Sequence, residues 1–160
     1  MKVLTLIVTA VVLGATSPAL SQEKEEAADE LPSVLIYKNP SCACCSLWVK
    51  HMEAYGFETK TYTTRRANEL KDNLGVPKDM RSCHVAQVGG YIVEGHVPAD
   101  LIEKMLREKP DIAGLTVPGM VTGSPGMEGH GPQDYDVLAF TKDGKTSVYA
   151  HREGKATVSD

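Results

Sequence analysis

Cys42-Ala43-Cys44-Cys45 puts three thiols in four residues, and the fourth and last cysteine of the chain, Cys83, is followed at once by His84. Soft thiolates select Cu(I), and imidazole accepts copper or zinc. The flanking residues say where the first group sits. Ser33-Val34-Leu35-Ile36-Tyr37 is an apolar, β-branched run that reads as a buried strand, and Lys38-Asn39-Pro40-Ser41 is a turn signal. Leu47, Trp48, His51, Met52 and Tyr55 then recur at helical spacing before Gly56 stops the pattern. The thiols therefore lie where a strand ends and a helix begins. Unpaired amides and the positive end of the helix dipole favour thiolate at that place.

Charge decides between metals. Four thiolates around one Cu(I) leave three negative charges uncompensated in a partly buried site, whereas bridging several Cu(I) ions brings the total towards neutral. One zinc would leave two, which zinc sites tolerate, but the C-x-C-C spacing departs from the paired spacing of structural zinc sites. Other donors are available. His51, two helical turns past Cys44, either looks back at the cluster or packs in the core. Met120, Met127 and His130 lie in a Gly/Pro-rich stretch with no core of its own to fill, so they are candidates for a lid or a route in. His84 should point away from the face that Cys83 uses, because neighbours on a strand alternate. His96, just before a helix, reads as a capping or loop residue, His151 as solvent-facing, and Trp48 as core.

Two readings without copper remain open. Four cysteines in an exported chain ordinarily make two disulfides. Cys44 and Cys45 are adjacent and cannot pair without strain, although a Cys42–Cys45 bond with a Cys44–Cys83 bond stays open. Such a structural disulfide module, or a structural zinc module, would serve to present a surface to a partner. Alternatively, Cys42 and Cys45 form the C-x-x-C pair of a thiol-disulfide oxidoreductase, although Cys44 and Cys83 would compete in every exchange.

Residues 1–21 have the make-up of a secretory leader. Lys2 gives a positive start, Val3 to Leu13 is apolar, and Ser17-Pro18-Ala19-Leu20-Ser21 supplies small residues for cleavage. The apolar run is short for a bilayer span. The mature chain is thus expected from about Gln22, with residues 22–32 a flexible charged leader and 33–160 a single domain. Losing Lys2 takes the net charge from -4 to -5. That balance disfavours nucleic acid, and no basic amphipathic helix offers itself to a membrane surface.

Further along, Phe57 to Thr63 reads as a second strand and Ala67 to Leu74 as a short helix. Cys83 to Val88 and Tyr91 to Glu94 flank the hairpin signal Gly89-Gly90, and Pro98 opens a helix with Leu101, Ile102, Met105 and Leu106 on one face. Gly114 to Gln133 has no periodicity, and Asp136–Thr141 with Thr146–His151 makes a closing hairpin around Asp143-Gly144. The order β-α-β-α-β-β-α, with cysteines on the first β-to-α turn, resembles the thioredoxin fold. In such folds the loop before the third strand approaches the first helix N-terminus, which would bring Cys83 to the other three thiols.

Tyr37-Lys38-Asn39-Pro40-Ser41-Cys42-Ala43-Cys44-Cys45, Ser82-Cys83-His84, Tyr91 to Ala99, Val117-Pro118-Gly119-Met120 and Gly123 to Glu128, in that order, resemble the CopG-like family of periplasmic copper-resistance proteins. The likeness runs from about Leu35 to about Tyr149. It implies a thioredoxin-like α/β fold, copper held by Cys42, Cys44, Cys45 and Cys83, and Cu(I)/Cu(II) redox activity. It also implies a periplasmic location and other copper-handling proteins as partners.

Overall fold

Val34 and Ile36 are fully buried, and their alternation with half-buried neighbours is what a strand under a helix requires. The computed structural model describes residues 30–155. The leader expected over 1–21 and most of the 22–32 stretch lie outside the described residues. Strand β1 is Val34–Lys38, followed by helix α1 (Ala43–Ala54), β2 (Thr59–Thr63), α2 (Ala67–Asn73) and a 3-10 turn at Lys78–Met80. Then come β3 (His84–Val88), β4 (Tyr91–Glu94), α3 (Ala99–Glu108), β5 (Gly114–Thr116), β6 (Tyr135–Phe140) and β7 (Thr146–Arg152). The expected order β-α-β-α-β-β-α is present, and the C-terminal hairpin follows it.

All seven strands form one sheet in the order β2-β1-β3-β4-β5-β6-β7. β1 runs parallel to β2 and antiparallel to β3, and β4 runs parallel to β5, so α1 and α3 are crossover connections. The β3–β4 turn is the predicted Gly89-Gly90, both at positive φ (54° and 86°), as a tight hairpin turn demands. α3 buries Leu101, Ile102 and Met105 against the sheet, about 1.5–3 kcal/mol for each side chain. Trp48 is core, as expected, and its Nε1 donates to the Val97 carbonyl at 2.9 Å.

One expectation fails. Gly114 to Gln133 is not loop throughout, because Gly114–Thr116 is a strand between β4 and β6. All three residues are buried, so no alternation marks them. A Cβ on Gly114 would come within 1.9 Å of the Ile92 carbonyl oxygen, so glycine permits the close pairing. The remainder, from Val117 to Asp134, leaves the sheet at β5 and returns at β6. Among the described residues no helix is long and apolar enough to cross a membrane.

Candidate metal centre

Cys42 is the N-cap of α1, and its Sγ accepts from the Cys45 amide at 3.4 Å. The strand-to-helix position read from sequence is thus the observed one. Cys42 and Cys45 are joined as a disulfide, while Cys44 and Cys83 are free and half-buried. Cys44 Sγ lies 3.4 Å from Cys42 Sγ. The four sulfurs of Cys42, Cys44, Cys45 and Cys83 all fall within 4.8 Å of one another, close enough to share a metal ion. A second set overlaps the first: Cys45, Cys83, His84 and His96 also present donor atoms within 4.8 Å of one another.

The two histidines correct the sequence reading. Cys83 precedes β3 rather than belonging to it, so strand alternation does not separate it from His84, whose Nδ1 lies 3.4 Å from the sulfur. His96 is no capping residue. Its Nε2 lies 3.1 Å from Cys83 Sγ, and its Nδ1 lies 2.7 Å from the Pro125 carbonyl oxygen. A carbonyl only accepts, so Nδ1 carries the proton and Nε2 turns a lone pair to the thiol. The signal for this was present in the hairpin. Val85 pairs with Glu94 across Gly89-Gly90, and continuing that register sets Cys83 opposite His96.

Burial sets the protonation of the site. It pushes the Cys83 thiol up to about 11, against a hydrogen bond from the Ser82 hydroxyl, with Cys44 adding to the rise. It also holds His84 well below the ordinary histidine range, helped by His96, Lys71 and Lys38, and it lowers His96 despite the Pro125 carbonyl. Both imidazoles are therefore neutral, the form that binds metal. His84 Nε2 is buried with no hydrogen-bond partner, on a ring that belongs to the second donor set. Its ring packs on Trp48, centroid to centroid 4.4 Å.

Two further features adjoin the segments that carry Cys83 and His96. Lys71 on α2 and Glu94 at the end of β4 form a fully buried ion pair at 2.6 Å. Beside them, Arg81 pairs with Asp72 and also donates to the Val76 carbonyl, and the Thr116 hydroxyl donates to the Met80 carbonyl. The Gly/Pro-rich segment supplies the second feature. Gly126 lies so close to α1 that a Cβ would meet the Trp48 amide nitrogen at 2.6 Å. This contact seats the segment on the first turns of α1 and brings the Pro125 carbonyl to His96.

Two solved structures of copper resistance protein copG resemble this chain. Form 1 is 41% identical with a TM-score of 0.73, over 78% of this chain and 100% of that one. Form 2 is 41% identical with the same TM-score of 0.73, over 77% and 99%. The chain belongs to the CopG family of copper resistance proteins. A family model described as a protein of unknown function, DUF411, matches residues 80–127, the stretch carrying Cys83, His84, His96 and much of the Gly/Pro-rich segment. No curated protein matches.

The weaker sequence candidates are dispersed. His51 spends its Nε2 lone pair on the Ala99 amide at 3.1 Å, where it caps α3, and burial lowers its pKa. Met120 is 52% exposed, next to Gly119, whose carbonyl accepts from the Ser82 hydroxyl. Met127 is half-buried in the turn that Gly126 seats on α1, and its amide donates to the Ser124 carbonyl at 2.8 Å. His130 is exposed and belongs to neither donor set. His151 is exposed, as expected, and pairs with Asp136.

Proposed function

We propose that this protein is an exported copper-binding protein, acting in the periplasm, that sequesters Cu(I) through Cys42, Cys44, Cys45 and Cys83. One observation carries the reading: four sulfurs within 4.8 Å of one another, in a chain 41% identical to a copper resistance protein. A thioredoxin-like arrangement is part of the proposal. The order β2-β1-β3-β4, with β1 parallel to β2 and the thiols at the N-terminus of α1, supports it. His84 and His96 join the sulfurs as neutral donors, which add ligands without adding charge. More than one Cu(I) per chain then brings the site towards neutrality.

The Cys42–Cys45 disulfide gives the site an electron balance as well. Two Cu(II) ions would each take one electron from the two thiols, forming the S–S bond, releasing two protons and leaving two Cu(I). Cys44, Cys83, His84 and His96 remain as donors for that product.

Anaerobic titration of the reduced protein against a competing Cu(I) chelator tests the reading. Further tight equivalents beyond the first are expected, and Cys83→Ser should weaken binding at least as much as Cys42→Ser. Saturation at one ion, or preferential retention of zinc, refutes it. A second reading, a thiol-disulfide oxidoreductase, is favoured by the disulfide itself, since Cys42 and Cys45 are the C-x-x-C positions. Cys44, 3.4 Å from Cys42, is a competitor within the site, so metal-free protein should reduce insulin poorly. Robust turnover that survives Cys83→Ser would promote this second reading.

A further inference from the structure

A buried ion pair is seldom retained for stability, because apolar residues of similar volume serve as well or better. Lys71 and Glu94 are respectively 1% and 0% exposed, so their pairing calls for another reason. What distinguishes them from an apolar pair is where their remaining hydrogen bonds go. Lys71 Nζ donates to the Ser82 carbonyl at 2.7 Å, and Glu94 Oε1 accepts from the Ser82 amide at 2.6 Å. Both charged groups therefore grip the backbone of one residue, and that residue precedes Cys83. Gly95 draws in the segment that carries His96. At φ +72 it lies so close to Ser82 that a Cβ would come within 2.6 Å of the Ser82 Cβ and of the Val117 carbonyl oxygen. Ser82 is thus the point where the chain bearing Cys83 is pinned to the chain bearing His96.

We propose that Lys71 and Glu94 are positioning residues, which set the distance of Cys83 Sγ from Cys44 Sγ and from His96 Nε2 by holding Ser82 at both its amide and its carbonyl. The effect on copper rests on the copper reading above, but the placement of the thiol does not. Neither charged group needs to touch the metal. The neutral pair contributes hydrogen bonds of fixed direction and leaves the charge of the thiol site unchanged.

The test is Lys71→Met/Glu94→Leu, which removes the grip and roughly keeps the volume. With Cys42 and Cys45 oxidised, Cys44 and Cys83 are the remaining thiols, their sulfurs within 4.8 Å. A diazene oxidant joins them: the thiols lose two electrons and two protons, the N=N bond becomes a hydrazine, and an S–S bond forms. Misplacement by about 1 Å is enough to slow such a reaction, so its rate should fall at least about tenfold in the double variant. The unfolding midpoint of that variant should stay at or above that of the native protein, whereas a merely structural pair predicts the opposite. Glu94→Gln keeps an acceptor for Ser82 and Lys71 but not the charge paired with Lys71, so it should lower the unfolding midpoint yet remain within about threefold of the native rate. If the double variant does not fold, Lys71→Met, which frees the Ser82 carbonyl and leaves Glu94 without its cation, carries the same expected slowing.

An unchanged cross-linking rate in the variants overturns the proposal. A lowered midpoint in the double variant, with Glu94→Gln as slow as that variant, also overturns it. In the reduced protein the double variant should lose at least about tenfold in Cu(I) affinity. Slowed cross-linking with native affinity would confine the role to the free thiols and overturn the copper consequence. No Cu(I) binding by the native protein would overturn the copper reading, and the cross-linking result would still stand.

Discussion

Gly126 sits at φ +79, and a Cβ there would lie 2.6 Å from the Trp48 amide nitrogen, 3.0 Å from the Leu47 carbonyl carbon and 3.1 Å from the Cys44 carbonyl oxygen. All three are backbone atoms of α1, which cannot swing aside as the end of a side chain can. Gly126→Ala therefore carries two costs. Left-handed backbone costs an L-residue about 1–2 kcal/mol. Forcing a methyl group into a closed contact adds about 1–3 kcal/mol, for a total of about 2–5 kcal/mol. Gly131 supplies the control: it has φ +68 and nothing within 4 Å of its Cβ position, so Gly131→Ala carries the first cost alone. The difference between the variants, about 1–3 kcal/mol, isolates the contact with α1. Equilibrium urea unfolding followed by Trp48 emission measures it. Should the segment lift off as a unit, the global loss is capped, and faster amide exchange over residues 121–128 reports the cost instead. Gly126→Ala should also weaken Cu(I) binding more than Gly131→Ala, because it moves the Pro125 carbonyl away from His96. Equal stabilities to within about 0.5 kcal/mol, with equal exchange protection, would refute the reasoning.

Trp48 is the chain's single tryptophan, and its ring centroid lies 4.4 Å from that of His84, so copper loading should quench its emission in step with binding. Undiminished emission at saturating copper would remove His84 from the site. On the outer face, His151 Nδ1 lies 2.8 Å from the Asp136 carboxylate, and that hydrogen bond lifts the imidazole above its usual 6.5. A raised folded value means that the pair's contribution is complete below about 6.5 and fades as pH rises through the folded value. Both groups are exposed, so the readout is the NMR titration of His151, which Asp136→Asn should return towards 6.5. A titration at or below 6.5 in the unaltered protein refutes the pairing.

What was legible in the sequence was local or periodic. The strand at Val34–Lys38, the thiols at the start of α1, and the Gly89-Gly90 turn all follow from patterns confined to a few residues. His96 was misread because its role is set by cross-strand register, although the turn that fixes that register was itself recognised. β5 escaped for a different reason: three fully buried residues have no polar face to alternate with. Lys71 left no signal at all. Ala67-Asn68-Glu69-Leu70-Lys71-Asp72-Asn73 is polar almost all round, and a lysine in such a helix reads as solvated until its partner, Glu94, is found in a distant strand.

The pairing of β5 with β6 has a consequence for how the site is assembled. The residues between Thr116 and Leu138 form an excursion closed by the pairing of those two residues in the sheet. Bringing together the ends of a free segment of this length carries a loop-closure entropy of about 2–3 kcal/mol. Here the sheet has already met that cost, and Lys155 at the far end of the hairpin adds a second tether through its amide to the Gly123 carbonyl at 2.9 Å. A ligand arriving at the sulfurs therefore finds the Pro125 carbonyl in place and His96 oriented. The C-terminal strands, which carry no residue of either donor set, contribute to affinity by removing an ordering penalty that the ligand would otherwise have to overcome.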